Sequence, residues 1–163
     1  IFISPGNGVN GGNCVFAVKK DGSEATVTTS ALPIGEWTYV TVTLSGDTGR
    51  IFINGTYMNK ATIAYNPVDV VGSNNFLGES QWDSDPFFNG VIDDLKIYNY
   101  ARTNEQIAKD YLAIKGETVE YVCDRENYDL QFDFDNNCIV DIDDFAEFVA
   151  TWMDSYRIYP IEQ

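Results

Sequence analysis

No histidine occurs anywhere in the 163-residue chain. That absence removes Ser-His-Asp and Cys-His catalysis and every histidine-ligated metal site. Bases are scarce as well: 10 Lys and Arg stand against 25 Asp and Glu, for a net charge of −15. Nucleic acids and anionic membranes need basic surface, so neither is an expected partner. No apolar run approaches the ~20 residues of a membrane span, so no membrane insertion is expected. Ile1-Phe2-Ile3-Ser4-Pro5-Gly6 lacks the charged start and long apolar stretch of a signal peptide. No initiator methionine opens the chain, so it is expected to be part of a longer product. Hydrophobic residues still make up 44% of it, enough for a core rather than a disordered chain.

The acids are unevenly placed. Residues 1–114 hold 12 acids and 7 bases, net −5, whereas residues 115–163 hold 13 acids and 3 bases, net −10. Such a block is often a solvated acidic tail. Here it is interleaved with Leu130, Phe132, Phe134, Phe145, Phe148 and Trp152, so it can fold once something neutralises the carboxylates. The change in composition near Lys115-Gly116 divides the chain into segments 1–115 and 116–163.

The first segment is read as β structure. Trp37 to Leu44 alternates, with Val40, Val42 and Leu44 on one face. Arg50-Ile51-Phe52-Ile53 and Thr56-Tyr57-Met58 flank Asn54-Gly55, a strong hairpin signal because both turn residues need positive φ. Asn54-Gly55-Thr56 is also a glycosylation sequon, but the hairpin already accounts for these residues. Further strands are expected at Cys14–Lys19, Ala25–Thr29, Asn75–Gly78 and Gly90–Tyr98. Short strands with regular turn signals imply a mainly β fold, an antiparallel β-sandwich. A helix follows as a cap on the sandwich: Thr103 and Gln106 have capping-box spacing, Ile107, Tyr111 and Ile114 form its apolar stripe, and Gly116 stops it.

Several stretches together carry a resemblance. They are Gly35-Glu36-Trp37-Thr38-Tyr39-Val40-Thr41-Val42, Ile51 to Gly55, Phe76-Leu77-Gly78, Asp85 to Tyr98 and the helix with Glu105-Gln106-Ile107. In this order and spacing they resemble the laminin-G-like, concanavalin-A-like jelly-roll domain of secreted bacterial proteins, over about residues 1–114. That family's domain begins earlier, with strands and an acidic loop, so the segment resembles the C-terminal part of an incomplete jelly roll. The resemblance implies a glycan-binding, cell-surface-polysaccharide-binding or spacing module. It also implies another chain, or the missing N-terminal part, to complete the sheets.

Two residues of this segment are candidates for a site. Val91, Asp93, Leu95 and Ile97 share one face of the expected strand, whose apolar members turn it inward, and a buried carboxylate needs a partner. The resemblance implies calcium near Asp93. Against it stands an Asp satisfied by backbone N–H groups or a base. Trp82 lies on the polar loop Gln81-Trp82-Asp83-Ser84-Asp85-Pro86, where an exposed indole can stack on a sugar ring or simply pack the loop. Trp37, on a core-bearing strand, is expected inside.

The second segment holds the most informative stretch, Asp133 to Asp144. Oxygen-bearing side chains stand at positions one, three, five, nine and twelve of a twelve-residue calcium loop, with position seven giving its carbonyl. The expected calcium ligands are Asp133, Asp135, Asn137, the Ile139 carbonyl, Asp141 and Asp144. Position six is Cys138 instead of glycine, and position twelve is Asp instead of the longer Glu. Phe145, Phe148, Val149 and Trp152 then recur on one face of a helix. The short twelfth-position acid, the absent long entry helix and the run Asp144 to Trp152 resemble one repeat of a dockerin-like module of planctomycete-type secreted proteins. In those, a cysteine at position six and another upstream are common. Three cysteines allow three single bridges. Cys123–Cys138 is favoured because it staples the segment leading into the loop, while Cys14, in a strand, is read as a buried free thiol.

The expected product is a non-catalytic, secreted or cell-surface module with a small calcium-loop–helix appendage. The rival is a jelly-roll glycosidase, which needs two carboxylates across one cleft. No strand carries the Glu-x-Asp-x-x-Glu pattern of jelly-roll glucanases, and Asp93 and Asp94 point to opposite faces of a strand. A third reading is a structural spacer.

Overall fold

The computed structural model describes residues 1–7, 12–70, 72, 74–80, 82–118, 122, 124, 126, 131–135 and 137–152. They belong to two compact units, Ile1–Glu117 and Thr118–Gln163.

The first unit is mainly β. Strands β1 (Phe2–Asn7), β2 (Asn13–Lys20) and β3 (Ser23–Thr29) form one antiparallel sheet in that order. Strands β4 (Val40–Ser45), β5 (Thr48–Ile53) and β6 (Thr56–Thr62) form a second. The hairpin pairings leave two-residue turns at Asp21-Gly22, Gly46-Asp47 and Asn54-Gly55. The shortest connections thus join neighbours in sequence, as antiparallel sheets allow.

The two sheets pack face to face. Cys14, Phe16 and Val18 alternate along β2, Val27 pairs opposite Phe16, and all meet Ile51 and Ile63 in one buried cluster. Val40, Val42 and Leu44 lean on that cluster from β4. Gly49 is small because it must be: a Cβ there would lie 2.5 Å from Ile63 Cδ1. Along one side the sheets are also joined by the Asn59 amide, which donates to the Thr28 carbonyl at 2.9 Å.

Cys14 is fully buried and free. Burial pushes its thiol up to about 11, against a smaller opposing effect of the Val15 N–H. A thiol raised on folding adds stability that is complete below its unfolded value and is lost as pH rises through the folded one. Cys14 is therefore expected to resist a thiol-specific reagent at pH 8 in the native protein and to react on denaturation. Rapid native labelling, read by mass spectrometry of a Cys14 peptide, would contradict this burial.

Helix α1 (Asn104–Ile114) begins with the expected capping box. The Gln106 N–H donates to Thr103 Oγ1 at 3.2 Å, and the Thr103 N–H donates to Gln106 Oε1 at 3.1 Å. Ile107 is buried, Tyr111 stacks on Tyr39 at 6.1 Å, and Ile114 remains exposed. The helix lies on the β5–β6 turn, whose Asn54 and Gly55 both have positive φ. The Tyr39 N–H donates to Asn54 Oδ1 at 2.9 Å, so the amide of the sequon serves the turn. Thr103→Ala is expected to cost about 1 kcal/mol of stability. Chemical denaturation checks this, and an unchanged midpoint would mean that the cap contributes nothing.

Residues 75–78 and 90–98 form no strand among the described residues, whereas β1 was not foreseen. Ile97 is 89% exposed, and Val91, Leu95 and Asp93 are exposed with it. Apolar alternation does not make a strand without a partner to supply the ladder. Asp94 also interrupts the run with a φ of +56°. Trp37 is 71% exposed, not inside, because β4 begins three residues later at Val40.

The described part of the second unit has one helix, α2 (Ile142–Trp152), preceded by a tight acidic loop. Among the described residues, no helix is long and apolar enough to cross a membrane.

Candidate metal centre

The loop before α2 is held by its own carboxylates. Asp141 caps the helix: the Asp143 N–H donates to Asp141 Oδ1 at 2.8 Å, and the Asp141 N–H donates to Asp144 Oδ2 at 2.8 Å. Asp141 thus caps the second N–H of the helix, while the Asp144 side chain, at the third position, reaches back to the cap N–H as in a capping box. This turns the Asp144 carboxylate back over the start of the loop. There Asp144 Oδ1 accepts the Phe134 N–H at 2.7 Å and a longer bond from the Asp135 N–H at 3.4 Å. Asp144 is 1% exposed and ties both ends of the loop together.

Those N–H groups set the charge of Asp144. The Asp141 N–H, followed by those of Asp135 and Phe134, holds its carboxyl below the ordinary range, against burial, which pushes it up. Asp144 therefore stays ionised at neutral pH.

Two Asx turns complete the loop. Asp135 Oδ1 accepts the Asn137 N–H at 2.9 Å, and Asn137 Oδ1 accepts the Ile139 N–H at 2.7 Å. The Cys138 N–H donates to Asp133 Oδ2 at 3.1 Å. Cys138 itself takes a φ of +71°. It occupies the position where a calcium loop uses glycine for its sharp turn.

One atom is left over. Asp133 is 7% exposed, and its Oδ1 is buried without a hydrogen-bond partner. A buried carboxylate oxygen without a donor is costly. Carboxylate oxygens from Asp133, Asp135 and Asp144 lie within 4.8 Å of one another. Oxygens that share a cation at the 2.3–2.6 Å typical of calcium can be at most about 5.2 Å apart. The three therefore suit a single hard cation, and the orphaned Oδ1 is an oxygen that such an ion would satisfy. Asp133 and Asp144 are buried, and Asp135 is exposed.

Of the six ligands expected from sequence, the structure brings together Asp133, Asp135 and Asp144. Asn137 is spent on its turn and also donates from Nδ2 to Asp135 Oδ2 at 2.7 Å. Ile139 enters through its N–H, and Asp141 caps the helix. The part of Asp144 as the knot of the loop was missed, although the Asp141-x-x-Asp144 spacing is a visible signal for it. Behind the loop, the Phe134 and Phe148 rings meet at 5.5 Å, and Phe148 meets Trp152 at 5.4 Å.

The other candidates lie elsewhere. Asp93 is exposed, its Oδ1 accepts the Asp94 N–H at 2.8 Å, and it joins no metal-competent group among the described residues. Trp82 sits edge-on to Phe2 at 5.9 Å, and the Lys19 ammonium lies 5.3 Å over its ring. Ser80 and Asp85 brace that turn with a 2.6 Å hydrogen bond. Cys123, and with it the expected Cys123–Cys138 bridge, lies outside the described residues.

Two facing antiparallel sheets with a capping helix make the first unit a β-sandwich. A laminin G model, described as "Concanavalin A-like lectin/glucanases superfamily", matches residues 4–108, and the chain belongs to that family. A solved S-layer domain-containing protein from Clostridium thermocellum ATCC 27405 is 34% identical over 61% of this chain, with a TM-score of 0.41. The match spans 52% of that solved chain, about half its length. No curated protein matches the chain.

Proposed function

We propose that this chain is a non-catalytic extracellular module for carbohydrate binding or surface attachment, with a dockerin-like tail stabilised by calcium. It would work as part of a larger secreted or cell-surface protein. The observation that carries the tail is the buried, unpartnered Oδ1 of Asp133 among three converging carboxylates. Calcium, a hard ion preferring oxygen, suits this donor set better than zinc or copper, which favour sulfur and nitrogen. Asp133, Asp135 and Asp144 would hold it, with Asn137, Ile139 and Asp141 supplying further oxygens on rearrangement. The ion would offset the mutual repulsion of the carboxylates and fix the loop against α2.

Cys123 and Cys138 form the disulfide of the tail in this reading. Cys14 is the buried free thiol, and a bridge closing about 15 residues contributes roughly 3 kcal/mol on the chain-entropy model. The exposed apolar side chains of Val91, Leu95, Ile97 and Trp37 are covered in the working protein by another chain or by an N-terminal part of the same domain. Unpaired, exposed apolar segments of this kind are otherwise an association hazard.

A spacer without glycan binding is the second reading. It is favoured by Trp82, whose ring is already engaged by Phe2 and Lys19. A glycan array separates the two: binding of a defined polysaccharide supports attachment, and a blank array supports the spacer. Release of reducing sugar from any polysaccharide tested would overturn both in favour of an enzyme.

A further inference from the structure

We propose that the cation site of the tail is redox-gated: breaking the disulfide at Cys138 weakens calcium binding in the 133–144 loop, and calcium in turn protects that disulfide from reduction. The inference rests on the calcium and disulfide readings above and names how that site is regulated.

Cys138 lies inside the loop, between Asp135 and Asp141, and not at its margin. Its N–H donates to Oδ2 of Asp133, the same carboxylate whose Oδ1 is buried without a partner. Its φ of +71° lies in the left-handed region that residues with a Cβ avoid. Such a conformation persists only where the surroundings hold it. Two holds act on this residue, the hydrogen bond to Asp133 and, in the disulfide reading above, the bond through its sulfur.

Cutting the sulfur bond leaves the hydrogen bond alone against the strain. Cys138 can then relax to negative φ, which swings its N–H away from Asp133. The carboxylate loses the donor that fixes its orientation, and the orphaned oxygen no longer points at a set place. A cation that needs Asp133, Asp135 and Asp144 together therefore binds more weakly. By linkage the effect is reciprocal, so calcium must oppose reduction by the same factor.

The redox step balances with an external dithiol. Its thiolate attacks one sulfur of the S–S bond to give a mixed disulfide, and its second thiolate displaces the protein sulfur. Two electrons and two protons pass to the two cysteine thiols, and the dithiol leaves as its cyclic disulfide.

The test uses the full chain in three forms: oxidised, reduced with a dithiol and alkylated without denaturant, and Cys123→Ser. Calcium chloride is titrated into each by calorimetry. The reduced form and Cys123→Ser are expected to bind at least about fivefold more weakly than the oxidised form, the lower end of ordinary coupling. Cys138→Gly, which accepts the left-handed turn without a disulfide, is expected to recover part of that loss and to ignore the dithiol. Equal affinities in the oxidised and reduced forms would overturn the coupling and leave the calcium site standing. Three free thiols in the oxidised protein would overturn the gate through its disulfide. Absence of calcium heat in every form would overturn the site and the gate together.

Discussion

Gly55→Ala is expected to destabilise the β unit by about 2–5 kcal/mol, the sum of a left-handed backbone penalty and an overpacking penalty. Gly55 has a φ of +78° in the β5–β6 turn, where an added Cβ is disfavoured before any neighbour is considered. The same Cβ would also lie 3.0 Å from Tyr111 Cβ and 3.2 Å from Ala108 Cα. Both are roots of α1 and cannot rotate aside, so the helix must lift. Lifting it uncovers Ile107 and parts Tyr111 from Tyr39. Gly22→Ala is the matched control, with a φ of +85° and nothing within 4 Å of its Cβ. It is expected to cost only the backbone penalty, about 1–2 kcal/mol. Thermal and chemical denaturation give both values. Equal losses would show that α1 does not rest on the turn.

The hairpin and helix that meet at Gly55 were the most legible parts of the sequence. Asn54-Gly55 announces its turn through residues that tolerate positive φ, and Thr103-x-x-Gln106 announces a cap through groups that satisfy orphan N–H donors. Both signals are local, and local chemistry suffices to read them. Residues 90–98 show the opposite case. Their alternation states which residues want burial, but a strand also needs a neighbour, which that stretch of sequence cannot name. The burial expected for Asp93 failed for the same reason. Strand β1, with Pro5 and Gly6 among its six residues, carries almost no β signal and exists because β2 pairs with it.

The acidic loop lies between these cases. Its spacing correctly marked Asp133, Asp135 and Asp144 as residues that could converge. The conflict between holding an ion and capping a helix was hidden, because an Asp oxygen suits either task. In the structure Asp144 meets three N–H groups, while Asp133 retains an unused oxygen. Only the three-dimensional hydrogen-bond count separates the two.

That unused oxygen makes Asp133→Asn the most telling substitution in the tail, because its effect is expected to change sign with calcium. Without calcium the Asn oxygen can still accept the Cys138 N–H now taken by Asp133 Oδ2. Its amide nitrogen then replaces the orphaned Oδ1 with a donor, in a group whose carboxylates converge to within 4.8 Å. One buried negative charge disappears and two repulsions with it, so the calcium-free tail is expected to be as stable as the wild type or more so. With calcium the same amide presents hydrogens to a cation, and affinity is expected to fall at least about 100-fold, the upper end of what indirect ligand support is worth. Wild-type tail, binding at the weak extracellular end near 10⁻³ M, should gain about 1 kcal/mol in about 5 mM calcium. The variant should gain nothing. Amide hydrogen exchange of Cys138 and Asp141 reads the loop directly, without interference from the β unit. If Asp133→Asn loosens the loop in EDTA, or if calcium protects both proteins alike, then Oδ1 of Asp133 is not the oxygen that receives the ion.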